Sequence, residues 1–179
     1  MHTDPIYVIA SALTVAAILA SAASHKLRAP GRFGRQLEDY QLLPKVLLAP
    51  ATRLIPLLEV ALAFALLVPA SRHLAALGAA VLLAGYAAAI GINLWRGRHD
   101  IDCGCAGPDQ AQPLRPPLLL RNAVLVGLAL LASLTPEGRD LGLFDGFVAI
   151  AASAVALLLY AAADGLLANA PRLLKLIGR

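Results

Sequence analysis

The chain has two cysteines, and they stand one residue apart in the run Arg96-Gly97-Arg98-His99-Asp100-Ile101-Asp102-Cys103-Gly104-Cys105-Ala106-Gly107-Pro108. Consecutive Cα atoms are about 3.8 Å apart, so an i, i+2 pair can fold within the roughly 4.4 to 6.8 Å that a disulfide spans. Gly104 between them permits the turn. Such a bridge is strained, hence easily reduced, and closing so small a loop adds little to stability. Exchange chemistry needs a thiolate, favoured by nearby positive charge. Arg96, Arg98 and Arg115 supply cations, while Asp100, Asp102 and Asp109 offset them. Three uses of the pair stay open: a dithiol/disulfide redox centre, a metal site, or two structural cysteines. The metal use needs further ligands. His99 and Asp102 are near, but Met1 is the only methionine, which argues against a copper path.

A second set of chemical residues lies inside apolar runs, where an ionisable group is a functional candidate by default. Glu59 interrupts one run and Arg121 sits near the start of another. Arg121 is expected to snorkel to the surface or to pair with Glu59. Asn93, Asn122 and His25 fall at the same level, with Lys26 beside His25 and Asp164 at the corresponding end of the last run. These positions predict a polar pocket beneath the cysteine loop, shaped by Glu59, Asn93, Arg96, Gly104, Asp102, Arg121, Asn122 and His25. The plainer use of the same side chains is to bind helices together.

The elements that must position them are hydrophobic helices. At 59% hydrophobic residues and a mean hydropathy of +0.74, the chain is too apolar for a water-soluble globule. Uncharged runs at Ile6–Ser24, Leu74–Leu94 and Gly146–Ala163 are each long enough for a hydrocarbon core of about 30 Å. The expectation is a single all-α transmembrane bundle with spans at about 6–24, 51–70, 74–95, 117–134 and 146–168, and a cysteine loop over 96–116. No positively charged segment precedes the first run, so it is read as a retained helix and not a signal peptide. Phe33, Leu37 and Tyr40 recur at i, i+4 and i+7 and predict a short interfacial helix over 31–43, its aromatic side toward the membrane and its end at Pro44. Pro56 is expected to kink the second span or mark its first turn.

The net charge of +4 does not point to nucleic acid, because the basic residues alternate between loops. Lys26, Arg28, Arg32, Arg35, Lys45, Arg53, Arg96, Arg98, Arg115, Arg172, Lys175 and Arg179 fall on the cysteine-loop side, against Arg72 and Arg139 on the other. By the positive-inside rule the N-terminus is outside and the C-terminus cytoplasmic.

Taken together, Ser24-His25-Lys26-Leu27-Arg28, Phe33, Tyr40-Gln41-Leu42-Leu43-Pro44, Glu59, Asn93-Leu94-Trp95-Arg96-Gly97-Arg98, Asp102-Cys103-Gly104-Cys105-Ala106-Gly107 and Arg121-Asn122 resemble the MauE family of methylamine-utilisation membrane proteins, related to the wider DoxX group. The resemblance covers roughly residues 6 to 165. It implies a bacterial inner-membrane helix bundle that supports maturation of the disulfide-rich small subunit of methylamine dehydrogenase, alongside a thioredoxin-like partner. Cys103 and Cys105 would be the redox pair, with Arg96, Gly97 and Asp102 framing their loop. A quinone is a possible final acceptor, by analogy with bundles that carry Cys-x-x-Cys where this chain has Cys-Gly-Cys. The alternative is a non-catalytic membrane scaffold, or a metal binder, using the same loop. Disulfide formation belongs outside the cytoplasm, yet the charges place the loop inside. Either the charge rule fails, or electrons enter inside and pass across, or the cysteines are reached from both sides.

Overall fold

A computed structural model describes residues 3–104 and 112–176, with side chains as far as Asn169. It contains six helices: α1 (Pro5–Arg28), α2 (Pro30–Tyr40), α3 (Lys45–Leu67), α4 (Arg72–Trp95), α5 (Pro117–Ala132) and α6 (Leu143–Leu176). No strand occurs among the described residues. The chain is an all-α, multi-pass membrane bundle. Helices α1, α3 and α4, and α6 over Leu143–Asn169, are long and apolar enough to cross a bilayer. Helix α5, at 16 residues, extends about 24 Å, short of the roughly 30 Å core. It still runs between the same two ends as its neighbours. The Ser133 carbonyl at its far end lies 2.6 Å from Nδ1 of His73 at the start of α4, while Arg121 near its start reaches the cysteine loop.

Several element bounds differ from the sequence reading. The second span begins at Lys45, so Pro50 and Pro56 are both interior to α3. Each lacks the N–H that would reach the carbonyl four residues back, a loss that helices packed in a membrane tolerate. Helix α2 stops before Pro44, because Gln41 adopts a left-handed conformation (φ 50°) as its C-cap. Helix α6 starts at Leu143 and continues past residue 168 into the basic tail.

Small side chains hold the centre. Ala12 and Ala16 of α1, Ala63 of α3, Ala76 and Ala79 of α4 and Ala129 of α5 are buried in one cluster with Val15, Leu19, Leu66, Leu83 and Leu125. In lipid, where burial from water is not the drive between helices, such residues let backbones approach closely. The opposite faces carry Leu54, Phe64, Leu74, Val81, Phe147 and Leu158 outward, as a lipid-facing surface requires. At the end away from the cysteines, Arg139 ties the chain together. Its guanidinium meets Asp4 at 3.1 and 3.2 Å and Asp145 at 3.0 Å, and the Glu137 N–H donates to the Thr3 carbonyl at 2.9 Å. Hydrogen bonds from Arg139 and from the Ile6 N–H hold the Asp4 carboxyl below its ordinary pKa.

At the cysteine end the fold rests on a buried ion pair. Lys26 of α1 pairs with Glu59 of α3, and Tyr86 of α4 donates to the same carboxylate oxygen at 2.7 Å. Glu59 is fully buried and Lys26 is 8% exposed. Removing one member of such a pair strands the other's charge and is strongly destabilising, by about 3–5 kcal/mol in buried sites. Lys26→Met is therefore expected to lower the detergent-solubilised melting temperature sharply, and Lys26→Met combined with Glu59→Leu to recover most of the loss. Equal melting temperatures for wild type and Lys26→Met would remove the pair from this account.

Candidate functional site

The site is built from the end of α4. Gly97 has φ +73°, which glycine alone adopts without strain, and its N–H donates to the Leu94 carbonyl while the Arg98 N–H donates to Asn93 at 2.9 Å. This turn ends the helix and folds Arg98 back, so that its guanidinium meets Asn93 Oδ1 at 3.1 Å. The amide of Asn93 donates to Ala89 and, at 3.3 Å, to the Tyr40 carbonyl at the end of α2. From there the chain enters the cysteine loop.

Asp102 fastens that loop to α2. Its Oδ2 accepts from Arg32 and Gln36, both at 2.9 Å, and its Oδ1 accepts from the backbone N–H groups of Gln112 at 3.1 Å and Gly104 at 3.3 Å. Burial acts to raise the Asp102 pKa, but the bonds from Arg32, Gln112, Gln36 and Gly104 outweigh it and hold the carboxyl below its ordinary value. The two limbs of the loop pair across: the Cys103 N–H donates to Gln112 at 2.8 Å and the Leu114 N–H to Ile101 at 3.0 Å. The hydroxyl of Tyr40 donates to the Cys103 carbonyl at 3.1 Å. Gly104 has φ +76°, and a Cβ there would lie 2.9 Å from Gln36 Oε1. No other residue fits that position without displacing Gln36.

Cys103 is buried, with Nη2 of Arg121 at 3.6 Å from its sulfur. Arg121 is held in turn by Asp164 of α6 and lies over the Tyr160 ring, 5.8 Å from its centroid. Gln112 also points at Asp164, its amide 3.3 Å from Oδ1. A sulfur, a guanidinium and a carboxylate thus form a chain from the loop into the bundle. Beside them, a cavity of about 460 Å³ lies between α2, α3 and α4, with Cys103 and Gly104 in its wall.

The residues predicted from sequence are partly brought together. Asp102, Cys103, Gly104 and Arg121 form one cluster, and Asn93 joins it through Tyr40. Cys105 lies outside the described residues. Arg121 neither snorkels nor pairs with Glu59, because Asp164 takes its charge on one side and Lys26 takes that of Glu59 on the other. His25 lines a small pocket with Arg32 and Gly104. Asn122 turns back to the Leu118 carbonyl of its own helix at 2.9 Å. Arg96 is exposed as the C-cap of α4. Among the described residues no three His, Cys, Asp or Glu side chains gather as a metal would need.

Sequence reasoning turned Tyr40 toward the membrane and gave Arg32 and Gln36 no part in the site, although their i, i+4, i+8 spacing puts all three on one face of α2; it passed over Tyr86, the lone phenol in its apolar run. Asp164 was placed at the level of the site by the rule that singled out Glu59, but not as the partner of Arg121.

Because the folded Asp102 carboxyl titrates below its unfolded value, its clasp is complete above about pH 4 and is lost as pH falls through the folded pKa. Asp102→Asn is expected to expose Cys103 to a dipyridyl disulfide probe at neutral pH, and acidification of the wild type below that range to do the same. Gly104→Val should match Asp102→Asn at every pH. Unchanged probe rates in both variants would show that the clasp does not cover the sulfur.

A family model for methylamine utilisation protein MauE matches residues 4–135, from α1 through the cysteine loop to α5. Methylamine utilization protein MauE of Methylophilus methylotrophus is 39% identical over 166 residues, which cover 92% of this chain and 87% of that protein. Those of Paracoccus denitrificans and Paracoccus versutus are each 36% identical, covering 90% and 92% of this chain and 87% and 91% of their own lengths. No solved structure matches the chain. A bundle of apolar helices around one cysteine loop, matched over nearly its whole length by these proteins, belongs to the MauE family.

Proposed function

We propose that the chain is a thiol–disulfide redox protein of the bacterial inner membrane, in which Cys103 and Cys105 cycle between dithiol and disulfide against a thioredoxin-like partner. The observation that carries this reading is the Arg121 guanidinium set 3.6 Å from the Cys103 sulfur in a buried site. A cation there stabilises a thiolate, the attacking form of the residue. Asp164 and Tyr160 fix the guanidinium, and Tyr40 and Gln112 fix the backbone on either side of the sulfur.

In the exchange, the Cys103 thiolate attacks a partner disulfide, forming a mixed disulfide and releasing the partner's second sulfur as thiolate. The Cys105 thiolate then displaces the partner from Cys103, leaving an intramolecular disulfide and a reduced partner; the reverse sequence oxidises the partner. Chain connectivity puts Cys105 within reach, one residue past Gly104. The client that fits the family's name is the disulfide-rich small subunit of methylamine dehydrogenase. The basic residues crowding the cysteine end support an N-terminus outside and a cytoplasmic C-terminus, with α5 as the fourth of five crossings.

With purified protein, Arg121→Gln is expected to slow alkylation of Cys103 at neutral pH about tenfold, while Arg121→Lys retains most of the rate. Cys103→Ser and Cys105→Ser should each abolish exchange with a thioredoxin-like protein and fail to complement a deletion strain. Complementation by the double cysteine variant would instead establish a non-catalytic scaffold. Maleimide labelling in intact cells and inverted vesicles, before and after mild reduction, reads both the resting state and the membrane face.

A further inference from the structure

We propose that the cavity beneath the cysteine loop binds the ring of an isoprenoid quinone, which accepts the electron pair of the Cys103–Cys105 dithiol. The proposal rests on the redox reading above and names the acceptor for that same site. At about 460 Å³ the cavity falls within the roughly 300–1,000 Å³ of small-molecule sites. Its walls are mostly apolar, with polar groups confined to Lys26, Gln36, Tyr40 and Tyr86 beside the Cys103 wall.

Leu58, Val81 and Gly85 line the cavity and are also exposed, so it opens between α3 and α4 on the side that faces lipid. A ligand entering there comes from the bilayer. A water-soluble metabolite does not fit that mouth, and a lipid acyl chain has no use for the polar wall or the sulfur. A quinone uses all three: its isoprenoid tail lies along the apolar mouth, a carbonyl oxygen accepts from Lys26, and its ring meets Cys103. Behind that wall Glu59 receives both Lys26 and Tyr86 on Oε1, and its buried Oε2 has no hydrogen-bond partner among the described residues. That pairing holds Lys26 and Tyr86 in the cavity wall.

The step balances. The two thiols lose two electrons and two protons and form one S–S bond, and the quinone gains both to leave as quinol. Quinol leaves into the bilayer, and the Cys103–Cys105 disulfide returns to the dithiol by oxidising the dithiol of the thioredoxin-like partner.

Gly85 offers a clean test, since a Cβ there would meet nothing within 4 Å. Gly85→Phe is expected to fill the mouth without disturbing the helices. The full chain, purified in detergent and reduced, is mixed with a ubiquinone analogue carrying one isoprenoid unit, and quinol formation is followed by absorbance. Wild type should yield one quinol per disulfide formed. Gly85→Phe should lower the rate by about tenfold or more while leaving the melting temperature and Cys103 alkylation unchanged. If Gly85→Phe does not fold, Leu58→Trp narrows the same mouth from an exposed position. An azidoquinone should crosslink to α3 and α4 in wild type and in Cys103→Ser alike. Wild-type rates in both mouth variants, or crosslinks elsewhere, would overturn the proposal. So would failure to reduce the quinone by a chain whose cysteines still exchange with a thioredoxin-like protein, an outcome that leaves the exchange reading standing. Failure of the cysteines to exchange at all, with azidoquinone still captured at the cavity, would overturn the exchange reading and with it the cavity's role as an acceptor site.

Discussion

A charge inside a membrane cannot be left alone, and the arrangement of this bundle follows from where each charge finds its opposite. Lys26 with Glu59 joins α1 to α3, and Arg121 with Asp164 joins α5 to α6. Away from water the unpaired form of any of these groups is costly, so the helices are held at the rotations that keep both pairs closed. The alanine-rich core accepts those rotations because small residues pack closely without demanding one interlock of large side chains. Specificity at the cysteine end is thus electrostatic, whereas the centre supplies close contact.

The same economy of charge shapes the loop. Asp102 gathers four donors from α2 and from both limbs of the loop, and thereby converts a short polar connection into a fixed platform. Cys103 then has its backbone bound on both sides and its sulfur turned inward to Arg121. The basic residues that crowd this end of the molecule are therefore not equivalent. Lys26, Arg32 and Arg121 are spent within the protein on carboxylates, while Arg96 stays exposed.

Much of the architecture was legible in the sequence because membrane helices announce themselves through uncharged length, a signal that depends on few residues. The weaker spans were harder: Lys45–Pro50, set off by Pro44 and Pro50, reads as connector and proline punctuation, yet it is the first turn and a half of α3. Glu59, Asp102, Cys103 and Arg121 were visible as chemistry, since charge or sulfur at membrane depth is conspicuous. Their pairings were not. Depth along a helix can be counted from sequence, but rotation about its axis cannot, and rotation decided that Arg121 meets Asp164 and not Glu59. The role of Gln36 was likewise hidden, because a glutamine on a short polar helix looks like solvent-facing filler until a loop remote in sequence folds against it.

Ala29 is at once the C-cap of α1 and the N-cap of α2, so α2 hangs from the bundle by a single residue at that end. One side of α2, through Phe33, Leu37 and Tyr40, closes the cavity, and its Arg32, Gln36 and Tyr40 hold the cysteine loop. The helix is therefore a lever shared by two places. Any tilt that makes room for something in the cavity moves the side chains that clasp the loop, and any partner that pulls the loop moves the cavity's wall. Thermodynamic linkage then requires occupancy at each place to change affinity at the other by the same factor.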